Sequence, residues 1–127
     1  MAVQLDDIDV LYVPSAAGVA GAAAAMECVE AALPTLRGRR FYGVCYDPED
    51  DFRACVAIGP GDDVALGLHR GVIPGGHYAK AKVRTSDEIA EAFAVLRAEH
   101  EWDNTRPSIE FYRSEREILL YWPITQP

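Results

Sequence analysis

The chain has 127 residues, enough for one domain that buries about two-thirds of the surface its unfolded chain would expose. Half of the residues are hydrophobic and a quarter are charged, as in an ordinary soluble globular protein. Twenty acidic residues against twelve basic ones give a net charge of −8. This balance argues against a nucleic-acid partner, because phosphate binding requires a basic face, but it suits a cationic ligand or a basic protein surface.

Three cysteines, Cys28, Cys45 and Cys55, are far apart and show no paired spacing. An odd number of cysteines without a signal peptide predicts reduced thiols in a cytoplasmic protein. The start of the chain lacks a basic segment before its Ala- and Gly-rich stretch, so we expect neither a secretory signal nor a membrane span. The histidines at positions 69, 77 and 100 lack the spacing of metal ligands, and no metal or other cofactor is expected.

The first half of the chain, from about residue 6 to residue 60, predicts one strand, one helix and two further strands. Alternating apolar residues mark the strands, and an Ala-rich run that stops before Pro34 marks the helix. Glycine, proline and acidic residues separate the segments as turns. The predicted elements are a strand over residues 8–13, a helix over 19–33, and strands over 41–46 and 52–58.

The second half, from about residue 70 to residue 126, repeats the same order. Residues 85–88 (TSDE) have the sequence of a capping box, in which Thr85 and Glu88 satisfy free backbone donors at the start of a helix. Apolar residues with helical spacing then mark the buried stripe of that helix: Ile89, Ala92, Phe93 and Leu96. Strands are predicted over residues 77–83, 109–112 and 118–122, the last two forming a hairpin.

The repeated order predicts an α+β domain with an antiparallel sheet backed by two helices. We expect the halves to be related by a pseudo-twofold axis, with the helices covering one sheet face and a ligand cleft at the centre of the other face. Alternation places Glu110 and Tyr112 on one side of their strand and Ile109 and Phe111 on the other. The apolar pair is expected to face the helices, which would point Glu110 into the cleft. Alternation alone also allows the Glu110 face to be plain solvent.

Three segments, the third of which is a strand pair made of two ranges, resemble in this order the GyrI-like small-molecule-binding domain. They are residues 40–47 (RFYGVCYD), 73–79 (IPGGHYA), 106–112 (RPSIEFY) and 118–124 (ILLYWPI). This domain is the effector-binding module of several multidrug-responsive transcription regulators and also occurs as a free-standing protein. The resemblance covers about residues 40–124 and implies a single domain over residues 1–127. Because no DNA-binding segment precedes it, the chain resembles the stand-alone members.

The resemblance implies a ligand pocket with a glutamate in it. In GyrI-like domains the glutamate of the matching Pro-x-x-Glu-x-Tyr segment faces lipophilic, often cationic compounds, and here that residue is Glu110.

Trp102 follows the second helix and is expected either at the rim of the cleft, stacking on a ligand, or as a lid on the core. Parity with Ile118 and Leu120 favours Trp122 as a core residue. Tyr42 corresponds to Glu110 in the internal repeat, which makes it a candidate for the opposite wall, although ordinary strand propensity explains it equally well. The predicted ligand-binding residues are Glu110, Trp102, Tyr42, Tyr46 and Tyr112.

Three functions are compatible with these residues. The first is a stand-alone binding protein that sequesters or senses lipophilic, cationic or aromatic small molecules. The second is a hydrolase, because some stand-alone GyrI-like proteins hydrolyse reactive cyclopropane-bearing natural products, and Glu110 could act as a general base or acid. The third is a protein-binding inhibitor of DNA gyrase, for which the acidic runs at 47–51 and 62–63 are the only support.

Overall fold

The computed structural model of the chain describes residues 1–62 and 67–125. These residues form one antiparallel eight-stranded sheet and two α-helices, which confirms the predicted α+β fold. Each helix has eleven residues, and within the described part of the chain neither is long and apolar enough to cross a membrane. In chain order the elements are β1 (Ala2–Leu5), β2 (Ile8–Ser15), α1 (Ala22–Ala32), β3 (Phe41–Asp47), β4 (Asp51–Ala57), β5 (His69–Ile73), β6 (Gly76–Val83), α2 (Ile89–Glu99), β7 (Ser108–Ser114) and β8 (Glu117–Pro123).

The strand order in the sheet reflects the internal repeat. Across the sheet the order is β1-β6-β8-β7-β3-β4-β2-β5. The three strands β2, β4 and β3 of the first half therefore correspond to β6, β8 and β7 of the second, and the two halves meet where β3 pairs with β7. In each half the helix connects two strands that both run antiparallel to the strand between them. The helix must consequently cross over that middle strand, as crossover connections between parallel strands do.

Two short strands, β1 and β5, were not predicted. Each leads into one half of the chain but pairs with the other half, β1 with β6 and β5 with β2. The two connections meet where the Gly75 N–H donates to Asp7 Oδ1 at 2.6 Å. A Cβ on Gly75 would lie only 2.5 Å from the carbonyl oxygen of Leu5, so glycine is needed for this close approach. The exchange of edge strands ties the two halves together.

The helices pack on the outer parts of the sheet. Helix α1 lies on β2 and β4, with Ala25 and Val29 buried in its contact face. Helix α2 lies on β6 and β8 and buries Leu96. A 3₁₀ turn precedes each helix, so α1 begins three residues later than predicted. At the start of the turn before α2, Glu88 Oε1 accepts a hydrogen bond from Thr85 N at 3.0 Å, as the capping-box sequence predicts. Between the helices the central strands β3 and β7 lie uncovered.

The sheet face without helices is a packed interior. The sheet is curled, and side chains from β2, β3, β6 and β7 meet on this face, among them Val10, Tyr78 and Ile109. Phe111 packs against the same cluster. The expectation that Ile109 and Phe111 face the helices, and that the cleft lies on the opposite face, was therefore wrong. The curl brings the outer strands over this face, and their side chains fill the space that a cleft would require.

Candidate functional site

A cavity of about 570 Å³ lies between the two helices, above the central strands β3 and β7. This volume falls within the range of small-molecule sites, about 300–1,000 Å³. Its lining is mostly apolar. The α1 side contributes Val19, Ala22 and Pro48; the α2 side contributes Ser86, Ile89, Ala90, Phe93, Ala94 and Arg97; the sheet contributes Cys45, Phe52, Ser108, Glu110 and Trp122.

Glu110 places a carboxyl group in the floor of this cavity. The Tyr112 hydroxyl donates a hydrogen bond to Glu110 Oε1 at 2.7 Å. Within residues 1–62 and 67–125, no lysine, arginine or histidine forms an ion pair with the Glu110 carboxylate. Burial raises the pKa of Glu110 above its ordinary value, and the Tyr112 hydrogen bond lowers it in part. The protein therefore stabilises the negative charge of ionised Glu110 only in part, and a bound cation would stabilise it further.

Gly43 provides the space for this hydrogen bond. It stands directly opposite Glu110 in the pairing of β3 with β7. A Cβ at this position would lie 2.7 Å from Phe52 Cζ and would also collide with the hydroxyl of Tyr112. The absent side chain therefore leaves room above Gly43 for the Tyr112 hydroxyl, which bonds the carboxylate two residues away on the same strand. Sequence reasoning passed over Gly43, although a glycine inside an apolar strand is a known sign of a close approach.

Trp122 is the tryptophan that lines the cavity. It is half-buried at the end of β8, with its ring centroid 5.8 Å from that of Phe93 on α2. It shares the helix-side face with Leu120, as parity predicts, but it is not the fully buried core residue that we expected. The reason is its position at the inner edge of α2, where the covered part of the sheet ends.

Trp102 is 42% exposed and stacks on Trp122, with 5.4 Å between ring centroids. It does not itself line the cavity. The guanidinium carbon of Arg97 lies 4.8 Å from the centre of the Trp102 ring. Trp102 was predicted to stack on a ligand. Because Trp122 forms the cavity wall, Trp102 could do so only from outside the cavity.

The two other predicted tyrosines lie away from the cavity. Tyr42 is 5% exposed in the interior on the opposite sheet face, where it stacks on Phe111 with 4.8 Å between centroids. It therefore does not form the opposite wall of the cavity, because its side chain points to the other face of the sheet. Tyr46 is exposed, and the Arg53 guanidinium lies 5.0 Å from the centre of its ring. Of the predicted residues, only Glu110 lines the cavity, and Tyr112 contributes through its hydrogen bond to Glu110.

The cysteines contribute apolar surface to the protein. Cys45 lines the cavity, and burial, with a smaller effect of the Glu110 charge, raises its pKa to about 11. Burial also raises the pKa of Cys55 to about 12, while Cys28 is exposed on α1. A thiol with such a pKa stays neutral at neutral pH, and a neutral thiol is a poor nucleophile. Over the described residues, no group of three or more His, Cys, Asp or Glu side chains could hold a metal ion.

The fold is shared with proteins of very different sequence. Neither a family model nor a curated protein matches the chain. The integron cassette protein VCH_CASS2 from the mobile metagenome of Vibrio cholerae matches with a TM-score of 0.69 at 12% identity, over 98% of this chain and 94% of that one. The protein SAV2435, whose structure was solved bound to tetraphenylphosphonium, matches with a TM-score of 0.62 at 13% identity, over 98% of this chain and 93% of that one. At these identities the similarities establish the fold of the chain.

Proposed function

We propose that this protein binds lipophilic, cationic or aromatic small molecules in the cavity between α1 and α2, and that it sequesters or senses such compounds. The observation that carries the proposal is Glu110, a carboxyl group without a cationic partner among the described residues, in an apolar cavity of ligand size. Ionising a buried carboxyl is costly unless a positive charge accompanies it. Tetraphenylphosphonium, the lipophilic cation in the SAV2435 structure, belongs to the class of ligand that the cavity suits.

The residues at the cavity contribute to ligand binding in different ways. Phe93 and Trp122 offer flat apolar surfaces for an aromatic ligand, and aromatic faces also attract cations. Glu110 supplies the complementary charge, and Tyr112 holds its carboxylate in place through the 2.7 Å hydrogen bond. Tyr42 and Tyr46 have no part in this proposal, because they lie outside the cavity.

The proposal is tested by titrating the protein with tetraphenylphosphonium and with neutral triphenylphosphine oxide while following tryptophan fluorescence. Glu110→Gln keeps the shape and the acceptor for Tyr112 but removes the charge. It should weaken cation binding by about 1–3 kcal/mol, the scale of a charge-assisted hydrogen bond, and barely change binding of the neutral compound. Glu115→Gln, at an exposed position in the β7–β8 turn, is the matched control for net charge. Equal cation affinity in the native protein and in Glu110→Gln would refute the assignment of Glu110.

A second candidate function is hydrolysis. A carboxyl whose pKa is raised, with a hydroxyl donor 2.7 Å away, can accept a proton from water or deliver one to a leaving group. Incubation with cyclopropane-bearing compounds, followed by mass spectrometry, would detect a product with one added water. If Glu110→Gln abolishes turnover while binding persists, hydrolysis replaces simple binding as the function.

Inhibition of DNA gyrase stays a prediction. It depends on the acidic runs at 47–51 and 62–63, and Asp63 of the second run lies outside the described residues. In the first run, Asp51 and Arg53 come within 3.6 Å of each other, so part of that charge is locally paired.

A further inference from the structure

We infer that the ligand of this cavity is zwitterionic, with a positive group that pairs with Glu110 and a carboxylate or similar anionic group that pairs with Arg97. The inference rests on the proposed function and narrows it to a class of ligand. Of the described residues that line the cavity, Arg97 and Glu110 are the two that carry charge. Neither forms an ion pair with any described residue, and they do not pair with each other.

The two charges are separated within one apolar space. Glu110 stands on β7 in the floor, whereas Arg97 stands in the last turn of α2. A sphere with the volume of the cavity would be about 10 Å across, which leaves room for a ligand body between them. A mostly apolar cavity with a carboxyl group in its floor and an exposed guanidinium group on its α2 side is the arrangement that a ligand with two opposite charges would complement.

The Arg97 guanidinium is held in a way that leaves its donors available. Its carbon lies 4.8 Å from the centre of the Trp102 ring, and Trp102 in turn stacks on Trp122 in the cavity wall. A guanidinium group that lies over an aromatic ring can still donate through its N–H groups, and those of Arg97 form no ion pair with a described residue. Those donors match the two oxygens of a carboxylate.

A ligand that is only cationic would gain nothing from Arg97. Like charges at one cavity repel, and because the Arg97 side chain is exposed, water and salt weaken this repulsion without reversing its sign. Arg97 should therefore weaken the binding of a simple cation and strengthen the binding of a zwitterion. These opposite signs separate a role in ligand recognition from a role in supporting the tryptophan stack, because a structural role would change both affinities in the same direction.

The test uses two probes that share one lipophilic cation, (4-carboxybutyl)triphenylphosphonium and its methyl ester. Titrations near neutral pH and at low ionic strength should show tighter binding of the acid than of the ester by about two- to fivefold, the scale of an exposed ion pair. Arg97→Gln should remove this preference without weakening the ester, and Arg97→Lys should keep most of it. Glu110→Gln should weaken both probes, while Arg116→Gln, in the exposed β7–β8 turn, should leave both unchanged.

Equal affinities for the two probes in the native protein would overturn the inference and leave the proposed function standing, provided that the ester binds and depends on Glu110. An equal loss of both affinities in Arg97→Gln would also overturn it, because Arg97 would then act only through Trp102. Failure of the acid alone to bind the native protein would overturn only the inference, whereas failure of both probes would overturn the inference and the proposed function together.

Discussion

Replacing Gly43 by alanine adds one methyl group at the position where β3 faces Glu110. Gly43 is not among the glycines with positive φ, so alanine can adopt the same backbone conformation. The substitution therefore tests only whether there is room for the added methyl group. The added Cβ would lie 2.7 Å from Phe52 Cζ and would meet the Tyr112 hydroxyl at a still closer distance. Carbon atoms normally pack about 3.5–4.0 Å apart, so both rings must move.

The size of the effect follows from three contributions. Overpacking a well-packed site costs about 1–3 kcal/mol. Displacing Tyr112 breaks its hydrogen bond to Glu110 and adds about 0.5–1.5 kcal/mol. Alanine restricts the unfolded chain, which returns about 0.4–1 kcal/mol. We expect the free energy of unfolding to fall by roughly 0.5–4 kcal/mol, together with a weaker affinity for tetraphenylphosphonium.

A double-mutant cycle measured by urea unfolding checks the reasoning. Tyr112→Phe removes the atom closest to the new methyl group, so Gly43→Ala should cost at least about 0.5 kcal/mol less in that background. Phe52 remains in both backgrounds, so its overlap with the new methyl group cancels in the cycle. If the changes in free energy of unfolding caused by the two substitutions are additive, the lack of a side chain at Gly43 is not what makes room for the Tyr112 hydroxyl.

Two further predictions concern the tryptophans and the pH dependence of stability. Trp122→Phe should remove most of the fluorescence change that a bound ligand causes, whereas Trp102→Phe should preserve it, because only Trp122 lines the cavity; the opposite result would place the ligand outside. Burial makes Glu110 hold its proton more tightly in the folded than in the unfolded state. Stability without ligand should therefore fall as pH rises from about 4.5, the ordinary pKa, to the raised pKa. Urea unfolding at several pH values should show this fall in the native protein and a smaller one in Glu110→Gln.

The sequence by itself determined the local elements and the parity of each strand. Successive side chains of a strand point to opposite faces, so Glu110 and Tyr112 had to share one face and Ile109 and Phe111 the other. The same periodicity located α2 through its apolar stripe, and the residues from Thr85 to Glu88 marked its start. These features depend on neighbours in the chain, and short-range rules are sufficient for them.

Other features depended on contacts between distant residues. Strands β1 and β5 are short, and each pairs with a strand of the other half, so no local pattern indicates their partners. Tyr42 was aligned with Glu110 by counting along the chain, but in the sheet it stands opposite Phe111, and Gly43 stands opposite Glu110. The Tyr42 side chain therefore enters the interior while Glu110 lines the cavity. The pairing of Gly43 with Glu110, which admits the Tyr112 hydroxyl, exists only once β3 and β7 are adjacent.

The tertiary structure also decided which face of the sheet holds the cavity. Both faces carry apolar residues, so composition could not tell the helix-covered face from the closed interior. In each half the last strand inserts between the first two, β4 between β2 and β3 and β8 between β6 and β7. The connecting helix has to pass over the inserted strand, which draws α1 and α2 apart towards the outer strands. Strands β3 and β7 are left uncovered on the helix side, and Glu110 faces the space between the helices for that reason.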